Sequence, residues 1–354
     1  MGINLILTNE EQHLKAAMMW LTRAQHSNGG FSASYSLLSG WTSPYPETTG
    51  YIIETLLRYA RLDTSHDWNE MAHKAGEWLL TVQLSDGGFP GGNRILTKPV
   101  VFNTGMILFG LAALYKITMD DRFKLSGLRA LEWLTKNQNS DGSWTKFSLN
   151  SIPHAYHSYV AWGILTMSKT IGRLDEYIPV VEHANNWVLS KQDVSGWYWH
   201  NDLINGLPPL THNIAYVVHG LLECGAQLIQ NDWLASAERA SQAIYEDWVK
   251  FGQLPAGYGP GWQRGPKFRC LTGDAQFGII WYRLWQITGK RYWLEAAQGI
   301  ANQVADTQSL THILPGIRGG ISGSYPLWGN YLRFQYPNWA VKFFADLLLN
   351  LMET

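Results

Sequence analysis

The stretch Trp133–Trp144 reads WLTKNQNSDGSW, and the same pattern stands at Trp20–Phe31 (WLTRAQHSNGGF) and Trp78–Phe89 (WLLTVQLSDGGF). Each copy joins the end of an apolar helix to a Gln and then to a Gly-aromatic turn. Looser copies follow at Trp187–Trp197 (WVLSKQDVSGW), at Trp248–Tyr258 (WVKFGQLPAGY) and from Val304 (VADTQSLTHILPGIRGG). The marker glutamines are Gln25, Gln83, Gln138, Gln192, Gln253 and Gln308, spaced by 58, 55, 54, 61 and 55 residues. A period of that length holds two helices and their loops.

The two helices of each repeat differ. In the first, Leu14, Ala17, Met18 and Leu21 recur at i, i+3, i+4, i+7, with Glu11, Lys15 and Arg23 on other faces, as in an amphipathic helix. In the second, Gly50–Leu57, Thr104–Leu114, Val160–Met167, Ile214–Leu222 and Phe277–Trp285 are apolar nearly all round. A helix with no wet face is buried on every side. No run reaches the roughly 18 uninterrupted apolar residues of a membrane span. Each hairpin thus pairs an outer, half-wet helix with an inner, dry one. An open solenoid would need polar terminal repeats, yet Val341–Leu351 at the chain end is strongly apolar. The expectation is an all-α fold, a closed (α/α)6 toroid of six hairpins, formed by residues 1–354 as a single domain.

The run Gln138–Trp144, QNSDGSW, resembles the repeat of the squalene-cyclase and protein-prenyltransferase β-subunit group, and Gln83–Phe89 is similar. The resemblance covers most of the chain and implies the toroid. Toroids of paired helices also serve glycoside hydrolases, polysaccharide lyases and sugar epimerases, so the fold does not choose among these activities.

Formal net charge is −1 and charged residues make up 16% of the chain, which leaves no basic field for nucleic acid. Two cysteines, Cys224 and Cys270, form neither a disulfide framework nor a paired-cysteine metal motif. The start, MGINLILTNEEQHLK, lacks the basic flank and long apolar stretch of a signal peptide. A cytoplasmic protein without resident metal or cofactor is expected, with a carbohydrate or other small molecule as its partner. Oligomeric state is left open.

Aligning the inner helices brings one polar residue of each to the same level: Glu47, Asn103, His157, His212, Asp274 and Asn338, spaced by 56, 54, 55, 62 and 64 residues. In a closed toroid these starts converge on one mouth. Helix capping accounts for Asn103, Asp274 and Asn338 as well as a site does. It does not account for His157 or His212, because a cation at a helix N-terminus opposes the macrodipole, and neutral imidazole fits better there. Glu47 and Asp274 are the candidate catalytic carboxylates, each expected ionised at a helix start. Asp202, in the long segment WYWHNDLINGLPPLTHN, is a third. Asp86 and Asp141 read as turn residues.

Loops add the candidate binding residues. Trp41, Tyr45, Trp199, Trp262 and Tyr336 offer flat faces that suit sugar rings or isoprenoid chains, beside the polar His200. Arg264, Lys267 and Arg269 in GYGPGWQRGPKFR, with Arg318 further on, would suit a substrate carboxylate or phosphate. Connections around 195–211, 253–273 and 308–337 exceed those of repeats two and three, and the segment from Trp41 to Glu47 lies next to them once the ring shuts.

Carboxylates, His, Arg and aromatics at one mouth favour a carbohydrate-active enzyme. Glycoside hydrolysis would use Glu47 with Asp274 or Asp202. A lyase or epimerase would lean on His157, His212, Tyr45 and Arg269. Hydrolysis of an anionic, uronate-containing glycan is the reading favoured. The alternatives are isoprenoid chemistry and a non-catalytic glycan or peptide binder. Against isoprenoid chemistry, the DxDD motif is absent and Asp120-Asp121 lacks the third acid of a DDxxD run. A prenyltransferase-like zinc site would have to draw on Asp274, Cys270 and His312.

Overall fold

The computed structural model describes residues 9–92, 98–203 and 207–353. The segment Met1–Thr8, read above as free of a signal peptide, falls outside these residues. Twelve α-helices run in the order α1 (Asn9–Ala24), α2 (Pro46–Tyr59), α3 (Trp68–Val82), α4 (Val101–Thr118), α5 (Asp121–Lys136), α6 (Ser158–Thr170), α7 (Leu174–Leu189), α8 (Thr211–Leu228), α9 (Asn231–Phe251), α10 (Leu271–Thr288), α11 (Arg291–Ala305) and α12 (Asn338–Met352). Even-numbered helices pack on one another in sequence, and α12 packs on both α2 and α1, so the ring is shut. Odd-numbered helices form the outer wall. The toroid expected from the repeat is the toroid observed.

Helix chemistry follows this layering. On α1, Leu14, Ala17, Met18 and Leu21 are buried and form the stripe that faces inward. On α4 nearly every side chain from Val101 to Leu114 is buried, because inner helices cover both of its flanks and an outer helix its back. Among the described residues α4 alone is long and apolar enough to cross a bilayer, but 67% of it is buried inside the ring.

The marker glutamine has a mechanical role. Gln83 Nε2 donates to the carbonyl of Gly87 in its own turn at 2.9 Å and to that of Ser126 on the next outer helix at 2.9 Å. Gln25 does the same with Gly29 and Met71, Gln138 with Gly142 and Val180, and Gln192 with Gly196 and Ser236. Gln308 reaches Gly319 and, across the chain ends, His13 on α1. Repeat five departs from the rule: exposed Gln253 makes no such clamp, and Gln303 on α11 donates to the Gly252 carbonyl instead. The turn glycine is needed for two reasons. At Gly142 φ is +91°, and a Cβ there would lie 2.1 Å from the His183 carbonyl oxygen.

Long connections carry short strands at the mouth, which no alternating pattern signalled. Ser34–Ser36 pairs antiparallel with Gln335–Pro337, lacing repeat one to repeat six. Asn338 Nδ2 adds bonds to the Ser32 carbonyl (2.7 Å) and Thr48 Oγ1 (2.8 Å) across the same seam.

Gln138→Ala leaves two carbonyls without their donor and should lower stability by about 1–3 kcal/mol. Gln253→Ala, made at the repeat that lacks the clamp, should stay within about 0.5 kcal/mol. Equal melting temperatures for both variants would refute the clamp.

Candidate functional site

The N-terminal ends of the inner helices open on a cavity of about 720 Å³. Glu47 from α2, Asn103 from α4, His157 just before α6 and His212 from α8 all line it, with Tyr45. Because the inner helices follow one another around a six-membered ring, α2 and α8 stand on opposite sides. Glu47 and His212 therefore belong to facing walls, and His157 is a neighbour of His212.

Glu47 is held by a short chain of hydrogen bonds. Pro46 starts α2 with its fixed φ and no lost donor. Tyr45, just outside, donates its hydroxyl to Glu47 Oε2 at 2.6 Å. Asn103 Nδ2 donates to the Tyr45 hydroxyl at 3.4 Å and to the Pro90 carbonyl at 3.3 Å. Burial pushes the Glu47 carboxyl up from 4.5 to about 7, overriding the lowering effect of the Tyr45 bond. The expectation of an ionised carboxylate is corrected: at this helix start, desolvation outweighs the dipole.

Both imidazoles are neutral at pH 7. His212 Nδ1 shares a 2.7 Å hydrogen bond with Gln276 Oε1, so it carries the proton and Nε2 keeps a lone pair. Burial lowers its pKa from 6.5 to about 4. His157 is packed edge-on against Trp144 and Tyr156, and neither ring nitrogen has a partner. Burial holds its pKa well below the ordinary value. Asn213 contributes a buried Oδ1 that also lacks a partner.

The other two members of the aligned set turn away from the cavity. Asp274 is fully buried; its Oδ2 accepts a hydrogen bond from Arg269 Nε at 2.9 Å and lies 2.6 Å from Nη2 in the same ion pair. Burial raises its pKa against the pull of Arg269. Asn338 is spent on the seam between the chain ends. The basic loop is likewise committed elsewhere. Arg264 pairs with Asp247 on α9 and lies 4.2 Å over the Phe251 ring, while Lys267 and Arg318 are exposed outside the cavity. The glycines of that loop let it fold back on α9 rather than reach the mouth.

Trp41 packs on Trp20 and Tyr35, Tyr336 stands opposite Tyr35 in the strand pair, and Trp262 donates to the Ser195 carbonyl. None of these three lines the cavity. Trp199, His200 and Asp202 line a second hollow of about 600 Å³. Asp202 still bears on the main cavity, since its neighbour Leu203 lines the wall and its charge acts on Tyr156 and His154.

Phe102, Tyr156, Tyr216, Trp339 and Lys98 also line the cavity and were not singled out from the sequence, and the loop aromatic Tyr331 lines it too. A signal existed for four of them. Phe102, Tyr156 and Trp339 adjoin an aligned polar residue, and Tyr216 lies one helical turn after His212.

The zinc reading does not assemble: Cys270 is buried, Asp274 is bound to Arg269, and His312 sits on an exposed loop. Among the described residues one group, His73, Glu77 and Asp120, has ligand spacing, and Arg122 already bridges its two carboxylates. Asp120 also caps α5, in keeping with an outer turn.

A model of the prenyltransferase alpha-alpha toroid domain matches residues 47–198. No curated protein sequence matches the chain. Among solved structures, cellobiose 2-epimerase from Bacillus thermoamylovorans is similar at TM-score 0.78 and 11% identity, covering 98% of each chain. A D-mannose isomerase gives 0.74 and 12% over 100% of each. An unsaturated glucuronyl hydrolase specific for heparin gives 0.73 and 15%, over 98% of this chain and 97% of that one. At such identity the likeness is one of fold.

Two measurements test these electrostatics. The folded state binds a proton on Glu47 more tightly than the unfolded chain, so this group costs stability as pH rises from 4.5 to 7. The gain in melting temperature of Glu47→Gln over the parent should grow across that window. His212 resists protonation, so its cost appears as pH falls from 6.5 towards 4. The relative gain of His212→Gln should grow in that direction. Separately, Asp274→Asn strands the buried Arg269 charge and should cost about 3–5 kcal/mol in urea melts. A loss under 1 kcal/mol would show the pair to be dispensable.

Proposed function

We propose that this chain is a carbohydrate-active enzyme that moves a proton beside the carbonyl carbon of a reducing sugar, giving an epimer or an isomer. One observation carries the reading. A carboxyl with a pKa of about 7 stands across the cavity from a neutral imidazole whose proton is pinned on the far nitrogen. Two proton carriers on facing walls can act on opposite faces of one carbon. The names of the similar structures, an epimerase, an isomerase and a hydrolase of sugars, support the substrate class.

The chemistry balances without a cofactor. With the sugar in its open form, His212 Nε2 takes the C2 proton. The C2–H electron pair becomes the C1–C2 double bond, and negative charge moves to the C1 oxygen. Asn213, through its Nδ2, and the N–H of neutral His157 are the groups available to donate to that oxygen. Protonated Glu47 returns a proton to C2 from the other side, which inverts the carbon; return to C1, with the O2 proton passing to the C1 oxygen so that C2 becomes the carbonyl, gives the ketose instead. Protons then redistribute between the two groups through water. Phe102, Tyr156, Tyr216 and Trp339 offer faces to the sugar ring and backbone. Lys98 is the one Lys or Arg among the described lining residues, so a neutral sugar fits better than a uronate.

Hydrolysis stays as the second reading because Asp202 acts on Tyr156 across the cavity wall. It would join Glu47 as the carboxylate pair in place of Asp274, which is committed to Arg269.

Incubation with cellobiose or mannose in deuterium oxide separates the two. Proton transfer predicts deuterium at C2 by NMR, with Glu47→Gln and His212→Gln each slower by about 10²–10⁴-fold, while Asp202→Asn stays within a few-fold of the parent. Release of glucose from cellobiose, without C2 exchange and dependent on Asp202, would replace this reading with hydrolysis.

A further inference from the structure

The opposite end of the ring holds a separate cavity of about 500 Å³. It is lined from positions one to three turns further along the inner helices, and Tyr51 and Phe343 stand between it and the residues of the catalytic mouth. Most of its charges are already matched. Lys342 pairs with Asp346 at 2.6 Å, Arg283 with Glu223 at 2.8 Å and Arg58 with Glu353 at 3.1 Å. Glu54 differs: it lines the cavity and has neither an ion pair nor a hydrogen bond among the described residues. Its side chain is accessible but hemmed in by protein, and burial raises its pKa. The charges that act on it belong to Lys342, Asp346, Arg58 and Glu223, all engaged with their own partners. Arg61, also without a side-chain partner among the described residues, lines the exposed rim of the same cavity beyond the end of α2 and is not among the charges that act on Glu54.

Aromatic rings stand across from this carboxylate. Trp162 packs on Phe109 at 4.8 Å, on Tyr159 at 4.9 Å and on His219 at 4.7 Å between centroids. His219 is 5% exposed, and its Nδ1 has no partner. A carboxylate that no side chain bonds, aromatic rings and an imidazole whose Nδ1 has no partner meet at one hollow.

We propose that this far cavity binds a small organic ammonium, with Glu54 as its counter-charge, Phe109, Tyr159 and Trp162 as its walls and His219 Nδ1 as a hydrogen-bond partner. Aromatic faces attract an ammonium group, Trp most strongly. A divalent metal fits less well, because it calls for six or more oxygen ligands and the other carboxylates here are taken. The site draws on none of the residues of the proposed proton transfer and stands independently of that function.

Titration calorimetry in phosphate buffer tests it with choline, 1,4-diaminobutane and calcium chloride on the full chain. At least one amine should bind the parent protein. Glu54→Gln should weaken it by at least tenfold, while Glu47→Gln leaves the Kd unchanged. Glu54→Gln keeps the side chain's shape and removes an unmatched charge, so its melting temperature should equal or exceed the parent's. Trp162→Leu, where it folds, should also weaken binding. Heat from neither amine, equal binding by Glu54→Gln, or binding of calcium alone would each overturn the proposal.

Discussion

One side chain in five of the six repeats, the glutamine after the outer helix, decides whether a row of hairpins becomes a ring. Its amide donates at once to its own turn and to the next outer helix, so it fixes the angle between successive hairpins. A lone hydrogen bond is worth about 1 kcal/mol net. Five such amides, each bridging two hairpins, convert that small energy into a shape. The last of them, Gln308, grips α1, 295 residues away. Repeat five keeps the joint but reverses the donor, Gln303 reaching back to Gly252. What is preserved there is a tie between a turn carbonyl and the neighbouring outer helix, not the residue that makes it.

Closure is what gives the mouth its chemistry. In an open row, Glu47 on the second helix and His212 on the eighth would lie far apart. In a six-membered ring they face each other across a cavity of about 720 Å³. Chain ends are laced by the Ser34–Ser36 and Gln335–Pro337 strands and by Asn338, so the wall carrying Glu47 is held from both sides. The same device explains why Asn338 is absent from the cavity: the repeat that meets repeat one must spend its polar residue on the join.

The period of the glutamines made the toroid legible, since it depends on spacing and local turn chemistry that sequence displays directly. Four of the six aligned polar residues reach the cavity for the same reason: helix register fixes their level. The other two could not be told apart by register. Asp274 is drawn off by Arg269, five residues earlier, and that pairing depends on the path of an irregular loop. The basic cluster was misplaced in the same way. Its cations would suit a substrate carboxylate or phosphate, whereas the loop folds back so that Arg264 meets Asp247 on α9. Loop direction has no period, and periodicity is what the sequence reading relied on.

Burial rather than the helix dipole sets the charge states at this mouth. A helix N-terminus favours an anion by about 0.3–1 kcal/mol at exposed sites, whereas a rise of one pKa unit corresponds to about 1.4 kcal/mol. Glu47 is pushed up from 4.5 to about 7, so desolvation wins on magnitude. Desolvation also acts on the imidazoles, in the opposite direction, because it always penalises the charged form. One cause therefore drives a carboxyl and an imidazole towards the same neutral state on facing walls. For the proposed transfer, Glu47 can hold or release a proton near pH 7, and His212 begins without the second proton it is to take. The aromatic lining bears on the proposed proton transfer, since Phe102, Tyr156, Tyr216 and Trp339 help to make the low-polarity surroundings that keep Glu47 protonatable and His212 uncharged.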